Sequence, residues 1–365
     1  MLEGGVLTEG ASDLQVEPVS TPKAWNQVLR ALPQPHVLQT WEWGAFKERH
    51  EWSADRWLWT AGGEPKAAAT VLSRRIGPLP ARAMYVPKGP ILDYDDLALV
   101  ARVLSDLEAA ARSGQAVFVK IDPDVRADTT QGKAVVDLLQ ERGWRFSDEQ
   151  VQFRNTLLLD LTRDLDEIMA SMKSKWRYNI RLAGRRGVTV RHGRPEDLHL
   201  LYEMYEETSR RNQFVIRPES YYQDVWGSFL EAGLADPLIA EVEGEPVAMV
   251  VLFRFGERIW FMYGASRSIH RAHMPNHLLQ WEAIRWGKEQ GCRIYDMWGA
   301  PDELDESDPM WGVYRFKEGF GAQFTEHIGA YDYPTSELGY WLCTTVIPPL
   351  LALMRLRHWI ERGVD

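Results

Sequence analysis

The sequence predicts an α/β (α+β) protein built by duplication, with two mixed-sheet domains in one chain of 365 residues. Three observations predict it. A Gly-Glu-Pro turn between strand-like runs occurs twice, in GGEPKAAATVL (Gly62 to Leu72) and EGEPVAMVVLF (Glu243 to Phe253), about 180 residues apart. The order helix, strand, hairpin, strand, helix, strand surrounds each copy. Only two copies are visible, which excludes a long solenoid, and the length suits two domains with a core each.

In chain order, the opening MLEGGVLTEGASDLQVEPVS lacks the basic-then-apolar pattern of a signal peptide and reads as a disordered lead over residues 1–15. The first domain is expected over 16–150 plus 330–365, and the second over 151–329. DRWLWTA and DPLIAEV are the strands that enter the two turns; RAMYVPKGP and RIWFMYGAS are strands that run on into loops. Next come two helices. DDLALVARVLSDLEAAARSG has apolar residues at three- and four-residue spacing and stops at Gly114, and PNHLLQWEAIRWGKEQG starts on Pro275 and stops at Gly291. QAVFVKIDP and CRIYDMWGAP close the two copies as strands. In such folds the working loops follow the strands, which singles out Val86 to Asp96, Tyr263 to Asn276 and Trp298 to Gly321.

The C-terminal YWLCTTVIPPLLALMRLRHWI (Tyr340 to Ile360) is interrupted by Pro348 and Pro349 and is no membrane span. Two readings stand: a helix packed on the body, or a peripheral contact with a membrane surface. Two cysteines are too few for a disulfide framework, and a reducing cytoplasm is the default compartment.

The net charge is −10, yet eight Lys or Arg and no Asp or Glu lie between Ile168 and Pro195. Met169, Met172, Trp176 and Ile180 predict the apolar face of one helix, with Lys173, Arg177, Arg181 and Arg185 as a cationic stripe beside it. Charge alone leaves a solvated face and a polyanion-binding face both open. His270, His273 and His277 are spaced H-x2-H-x3-H, but Pro275 falls among them and no carboxylate joins the pattern, so no metal is expected. G-x-S-x-G, P-loop and Rossmann fingerprints are absent, which disfavours a serine nucleophile, nucleoside triphosphates and nicotinamides. Conventional side chains remain: Lys88 and Asp93 in YVPKGPILD, with Lys88 a candidate substrate contact, and Phe316 and Lys317 in VYRFKEGFG.

KSKWRYNIRLAGRRGV, MYGASR, MPNHLLQWEAIRWGKEQGCRIYDMWG and YRFKEGFG, with YVPKGPILD upstream, resemble the FemABX family of peptidoglycan interpeptide-bridge aminoacyltransferases, from about Gln39 to Tyr333. The resemblance implies tandem acetyltransferase-like (GNAT-like) domains, and the lack of a sustained heptad implies the shorter, FemX-like form without a coiled-coil arm. It implies transfer of an aminoacyl group from aminoacyl-tRNA to the side-chain amine at the third stem-peptide residue. The acceptor would be UDP-MurNAc-pentapeptide or lipid II, with no cofactor, in the cytoplasm or at the inner face of the membrane.

Residue by residue, the family's motifs imply that Lys47 and Arg217 hold the nucleotide-sugar diphosphate and that Tyr221 and Tyr263 line the acceptor site. Asp93 would orient the acceptor amine, with a base role second because an ordinary carboxylate is a weak base. Phe316 and Lys317 would line the transfer centre, Lys317 stabilising the oxyanion or the leaving hydroxyl. Within such a family, the stripe of Lys173, Arg177, Arg181 and Arg185 becomes a tRNA-phosphate contact. Two other readings are an N-acyltransferase with another acyl carrier and a non-catalytic tRNA- or muropeptide-binding protein. Acyl-CoA is disfavoured because RSIHRAHMPN lacks the glycines that let backbone amides reach a pyrophosphate.

Overall fold

A computed structural model of the chain describes residues 14–76 and 81–346. The N-terminal lead up to residue 13 and the C-terminal segment beyond 346 lie outside the described residues. Within the described residues the chain separates into two compact units: 14–34, 47–152 and 328–346 form unit 1, and Pro35–Phe46 with Phe153–His327 form unit 2.

Unit 1 begins with edge strand β1 (Gln15–Pro18), so Gln15 is already strand rather than disordered lead. Helix α1 (Pro22–Ala31) follows; α2 (Trp41–Glu48) comes next in the chain, its residues up to Phe46 counting with unit 2, and then β2 (Ser53–Ala61), β3 (Glu64–Arg75), β4 (Arg82–Val86) and the short β5 (Ile91–Leu92). After them come α3 (Leu97–Ser113), β6 (Ala116–Ile121), α4 (Thr130–Glu141) and β7 (Arg145–Phe146). The Asp96 carboxylate accepts the Leu99 N–H at 3.0 Å, capping α3. The stripe Leu99, Val103, Leu107 and Ala111 then packs with Trp59, Val119 and Leu139 in one core.

Unit 2 runs through β8 (Thr156–Asp160), α5 (Leu165–Ser171), α6 (Ser174–Arg185), β9 (Val188–His192), α7 (Leu198–Asn212) and α8 (Glu219–Glu231). It continues with β10 (Ala235–Val242), β11 (Glu245–Phe255), β12 (Arg258–Ser266), α9 (Pro275–Glu289), β13 (Ile294–Asp296), α10 (Trp311–Glu318) and β14 (Gln323–Thr325). Its strand order is β14-β8-β13-β12-β11-β10-β9. The chain then returns through β15 (Tyr331–Pro334) and α11 (Glu337–Trp341), completing a unit 1 sheet ordered β1-β2-β3-β4-β6-β15-β7. The segment Pro35–Phe46, expected in the first domain, counts with unit 2. Aromatic contacts explain it: His36 packs on Trp260, Trp43 on Phe229 and Phe46 on Tyr221, with ring centroids 4.8 to 6.3 Å apart.

The duplicated hairpins match in detail. Gly62 and Gly63 have φ of 58° and 82°, and Glu243 and Gly244 have 54° and 82°. Two successive positive φ values give the turn whose twist suits a two-residue hairpin. Each turn is followed by a bulge, at Trp59/Thr60 opposite Ala67 and Pro65 and at Ala240/Glu241 opposite Ala248 and Pro246. Proline has no N–H for the ladder, and a bulge is where a sheet tolerates it.

The copies differ at their parallel strand pair. In unit 1, β4 pairs with β6 along its whole length, from Arg82↔Ala116 to Val86↔Ile121, with one register shift between Arg82 and Ala83. In unit 2, β12 pairs with β13 only from Arg258↔Ile294 to Trp260↔Asp296, although β12 runs on to Ser266. Past Trp260 that pairing stops, and a wedge opens in the sheet. Among the described residues no helix is long and apolar enough to cross a membrane.

Candidate active site

The wedge in unit 2 is a cleft of about 640 Å³, lined on one side by Phe261 and Gly264 to Ser266 of β12 and on the other by Trp298 and Gly299. Asn276, Leu279 and Gln280 of α9 and Phe316 and Lys317 of α10 also face it.

Lys317 is the ionisable group that this cleft perturbs most. It is 4% exposed, and its ammonium donates to the carbonyls of Trp298 and Gly299, the second at 2.6 Å. Both carbonyls come from a turn with φ of 55° at Trp298 and 35° at Gly299. A left-handed tryptophan is costly and persists only when its surroundings enforce it. Here the enforcing group is Asp296, 1% exposed, whose carboxylate accepts the Trp298 N–H at 2.9 Å and the Thr156 hydroxyl. Burial pulls the Lys317 pKa from its ordinary 10.5 down to about 7, against the opposing pull of Asp296. A lysine that titrates near neutrality can hold a proton and release it under working conditions, as an acid catalyst must.

Phe316 is fixed from behind. The Trp176 indole N–H donates to its carbonyl at 2.9 Å, and its ring packs edge-on against His277 and Phe320 at 5.3 and 5.1 Å. His277 lies 3.1 Å from the Asn179 amide nitrogen, and burial, aided by Lys175, lowers its pKa to about 4. It is therefore a neutral packing partner at physiological pH.

The expected acceptor residues of unit 2 form an aromatic wall. Tyr263 sits 5.5 to 6.0 Å from Tyr205, Tyr222, Trp226 and Phe253, and burial raises its pKa well above the ordinary tyrosine value. Tyr221 packs on Tyr222, and the exposed Arg217 guanidinium lies 5.6 Å over the Tyr221 ring. In unit 1, Lys47 is half-buried in the last turn of α2. Asp93 is exposed, and its carboxylate accepts the Asp95 N–H at 3.0 Å, which pins the loop in an Asx turn.

Lys88 departs from expectation. It is 4% exposed, its ammonium pairs with Asp124 at 3.1 Å and its backbone N–H donates to Asp122. The Tyr85 hydroxyl also donates to Asp122, at 2.7 Å, and burial raises the Asp122 pKa to about 6. Lys88 is thus turned inward and braces its own loop, the ammonium held by Asp124.

The basic stretch departs too. The single expected helix is two, broken where Met172 and Lys173 turn extended, with ψ of 152° and 143°. The break is held by the Lys173 N–H, which donates to Gly319 O at 2.9 Å. Lys173 pairs with Glu318, and Arg177 donates to the carbonyls of Ala170 and Met172 at the end of α5. Arg181 and Arg185 are exposed on α6. Half of the four-residue stripe is therefore committed to the protein itself. Sequence reasoning missed Asp296 and the left-handed Trp298, for which the Asp-x-Trp-Gly order was the only local signal.

The sequence profile of the FemAB family matches residues 21–243, more than half of the chain. The chain belongs to the FemAB family. A second profile, the acetyltransferase (GNAT) domain, matches residues 170–318 and so spans the cleft of unit 2. The lipid II:glycine glycyltransferase of Staphylococcus haemolyticus is 25% identical over 90% of this chain and 95% of its own length. That of Staphylococcus aureus is 24% identical over the same shares. Among solved structures, FemX superposes with a TM-score of 0.83 at 22% identity, over 90% of this chain and 99% of its own. A tandem GNAT protein from the clavulanic acid biosynthesis pathway gives 0.54 at 13%, over 88% and 99%. The mixed sheets are thus tandem GNAT folds, and this FemAB member is an aminoacyltransferase.

Proposed function

We propose that the chain transfers an aminoacyl group from aminoacyl-tRNA to the side-chain amine at the third stem-peptide residue of a peptidoglycan precursor, building the interpeptide bridge. The observation that carries this reading is Lys317, buried at the end of an open strand wedge with its proton affinity brought close to neutrality. The relatives' name, lipid II:glycine glycyltransferase, supports a lipid-linked acceptor, and we place the reaction in the cytoplasm or at the inner face of the membrane as part of the same proposal.

The reaction is aminolysis of an ester. The acceptor amine, oriented by Asp93, forms its N–C bond as the C–O bond to the ribose breaks, and the leaving oxygen takes a proton from the Lys317 ammonium. The amine's own surplus proton passes to solvent or to Asp93. Lys47 and Arg217 supply the charge that a diphosphate calls for. Tyr221 and Tyr263 give the acceptor an aromatic wall, and Arg181 and Arg185 follow tRNA phosphates.

An acyl-CoA donor fits poorly. The residues before α9 include His270 and Met274 in the left-handed region, with φ of 52° and 58°, and no glycine between them. A loop without glycine gives a pyrophosphate little bare backbone N–H to approach.

The test is incubation with a pool of radiolabelled aminoacyl-tRNAs and, separately, UDP-MurNAc-pentapeptide and lipid II, with product analysis. Transfer to either acceptor supports the reading, and Lys317→Met should then lower turnover far more than acceptor affinity. No transfer from any charged tRNA, or an unchanged single-turnover rate in Lys317→Met, refutes it.

A further inference from the structure

One polar group in the cleft has no part in the mechanism above. Gln280, on the second turn of α9, is 1% exposed and lines the wedge. Its carbonyl oxygen accepts the hydroxyl of Tyr295, a fully buried residue of β13, at 2.7 Å. Burial holds that hydroxyl protonated by raising its pKa well above the ordinary value, so it is the donor. The direction of this bond fixes the carboxamide: the oxygen faces β13 and the NH2 faces away from it. Among the described residues that NH2 has no hydrogen-bond partner, yet it is not sealed off among the fully buried orphan atoms. It opens onto the cleft.

A side-chain amide held so deep, with its donors unused by the protein, offers them in a fixed direction to whatever occupies the cleft. An NH2 group donates and cannot accept, so its partner must be an acceptor atom. The donor's α-ammonium is excluded on that ground. Its ester carbonyl oxygen is an acceptor, and it gains negative charge as the amine adds. The neighbouring Lys317 ammonium has its carbonyl partners in Trp298 and Gly299 and a proton to give to the leaving oxygen. A neutral, rigidly aimed donor for the carbonyl oxygen is the piece still missing from such a site.

We infer that Gln280, oriented by Tyr295, donates a hydrogen bond to the carbonyl oxygen of the acyl group being transferred. This rests on reading the cleft as the donor site. Gln280 keeps that oxygen in place as it becomes an oxyanion, and releases it when the C–O bond to the ribose breaks and the carbonyl reforms as an amide. Tyr295 is a positioning residue that acts through Gln280.

Gln280→Glu separates this role from a purely structural one. The carboxylate still accepts the Tyr295 hydroxyl but has no N–H to donate. Single-turnover transfer from charged tRNA at saturating acceptor is measured for wild type, Gln280→Glu, Gln280→Met and Tyr295→Phe, with acceptor KM and the unfolding midpoint of each. Both Gln280 variants are expected to lose on the order of 100-fold in rate, as for removal of one oxyanion donor, with acceptor KM unchanged. Tyr295→Phe is expected to lose less, because its amide stays but rotates. Wild-type rates in Gln280→Glu overturn the inference, as does a loss of rate matched by a loss of acceptor affinity. A wild-type enzyme that transfers leaves the reading of the cleft standing in either case, and one that does not transfer removes both.

Discussion

Replacing Lys317 by methionine tests the electrostatics of the site independently of any substrate. The lysine's pKa falls from 10.5 in the open chain to about 7 in the fold. Between those values the unfolded chain binds more protons than the folded one, so stability rises with pH across that window. The contribution is fully present above 10.5 and is lost as pH falls to about 7. At ~1.4 kcal/mol per pH unit, the buried ammonium costs about 4 kcal/mol at pH 7 and about 2 kcal/mol at pH 9. Methionine fills a similar volume and does not titrate. The stability of wild type relative to Lys317→Met should therefore improve by about 2 kcal/mol from pH 7 to pH 9, whatever the two lost hydrogen bonds contribute at either pH. Urea unfolding of both proteins at the two pH values measures it, the difference of differences cancelling every other titrating group. A stability gap that stays constant between pH 7 and pH 9 would refute the claim that Lys317 is buried with a lowered proton affinity.

The same titration should appear in catalysis: if Lys317 protonates the leaving oxygen, the transfer rate falls as pH rises through about 7. Lys317→Arg, always charged, should be slower but without that falling limb in a pH–rate profile. Neutralising Arg181 and Arg185 to Gln should flatten the dependence of log K for tRNA on log salt by about 1–2 and leave acceptor affinity alone, read by binding titrations at several salt concentrations. Gly319→Ala should destabilise the protein by about 1–3 kcal/mol in urea unfolding. Its new methyl would lie 2.1 Å from the Trp176 indole, the group that holds Phe316 in place, so transfer should also slow.

Much of the fold was legible because local chemistry states it. The Gly62-Gly63 and Glu243-Gly244 turns, the prolines that follow, the Asp96 cap and the Pro275 start each act within a few residues of themselves. What was not legible depends on partners far along the chain. Helical spacing runs unbroken from Met169 to Ile180, so nothing local marks the break that Gly319 O imposes at Lys173. The basic stripe reads as four equivalent cations until Glu318 and the carbonyls ending α5 claim two of them. Lys88 looks like a loop cation until Asp122 and Asp124 draw it inward. Pro35–Phe46 counts with unit 2 for aromatic partners some 170 to 230 residues later, beyond any pattern window. For the site, a family motif marked Lys317, but its proton affinity is the work of the Trp298 turn and its surroundings, which no motif announces.

The parallel pair that stays zipped in unit 1 and parts in unit 2 bears on how many acyl groups the enzyme can hold. The two copies carry the same parallel pair, open in one and paired throughout in the other. With β4 and β6 joined as far as Val86 and Ile121, the earlier copy offers its backbone to a neighbouring strand and not to a guest. On the function proposed above, one open wedge among the described residues holds one acyl group at a time.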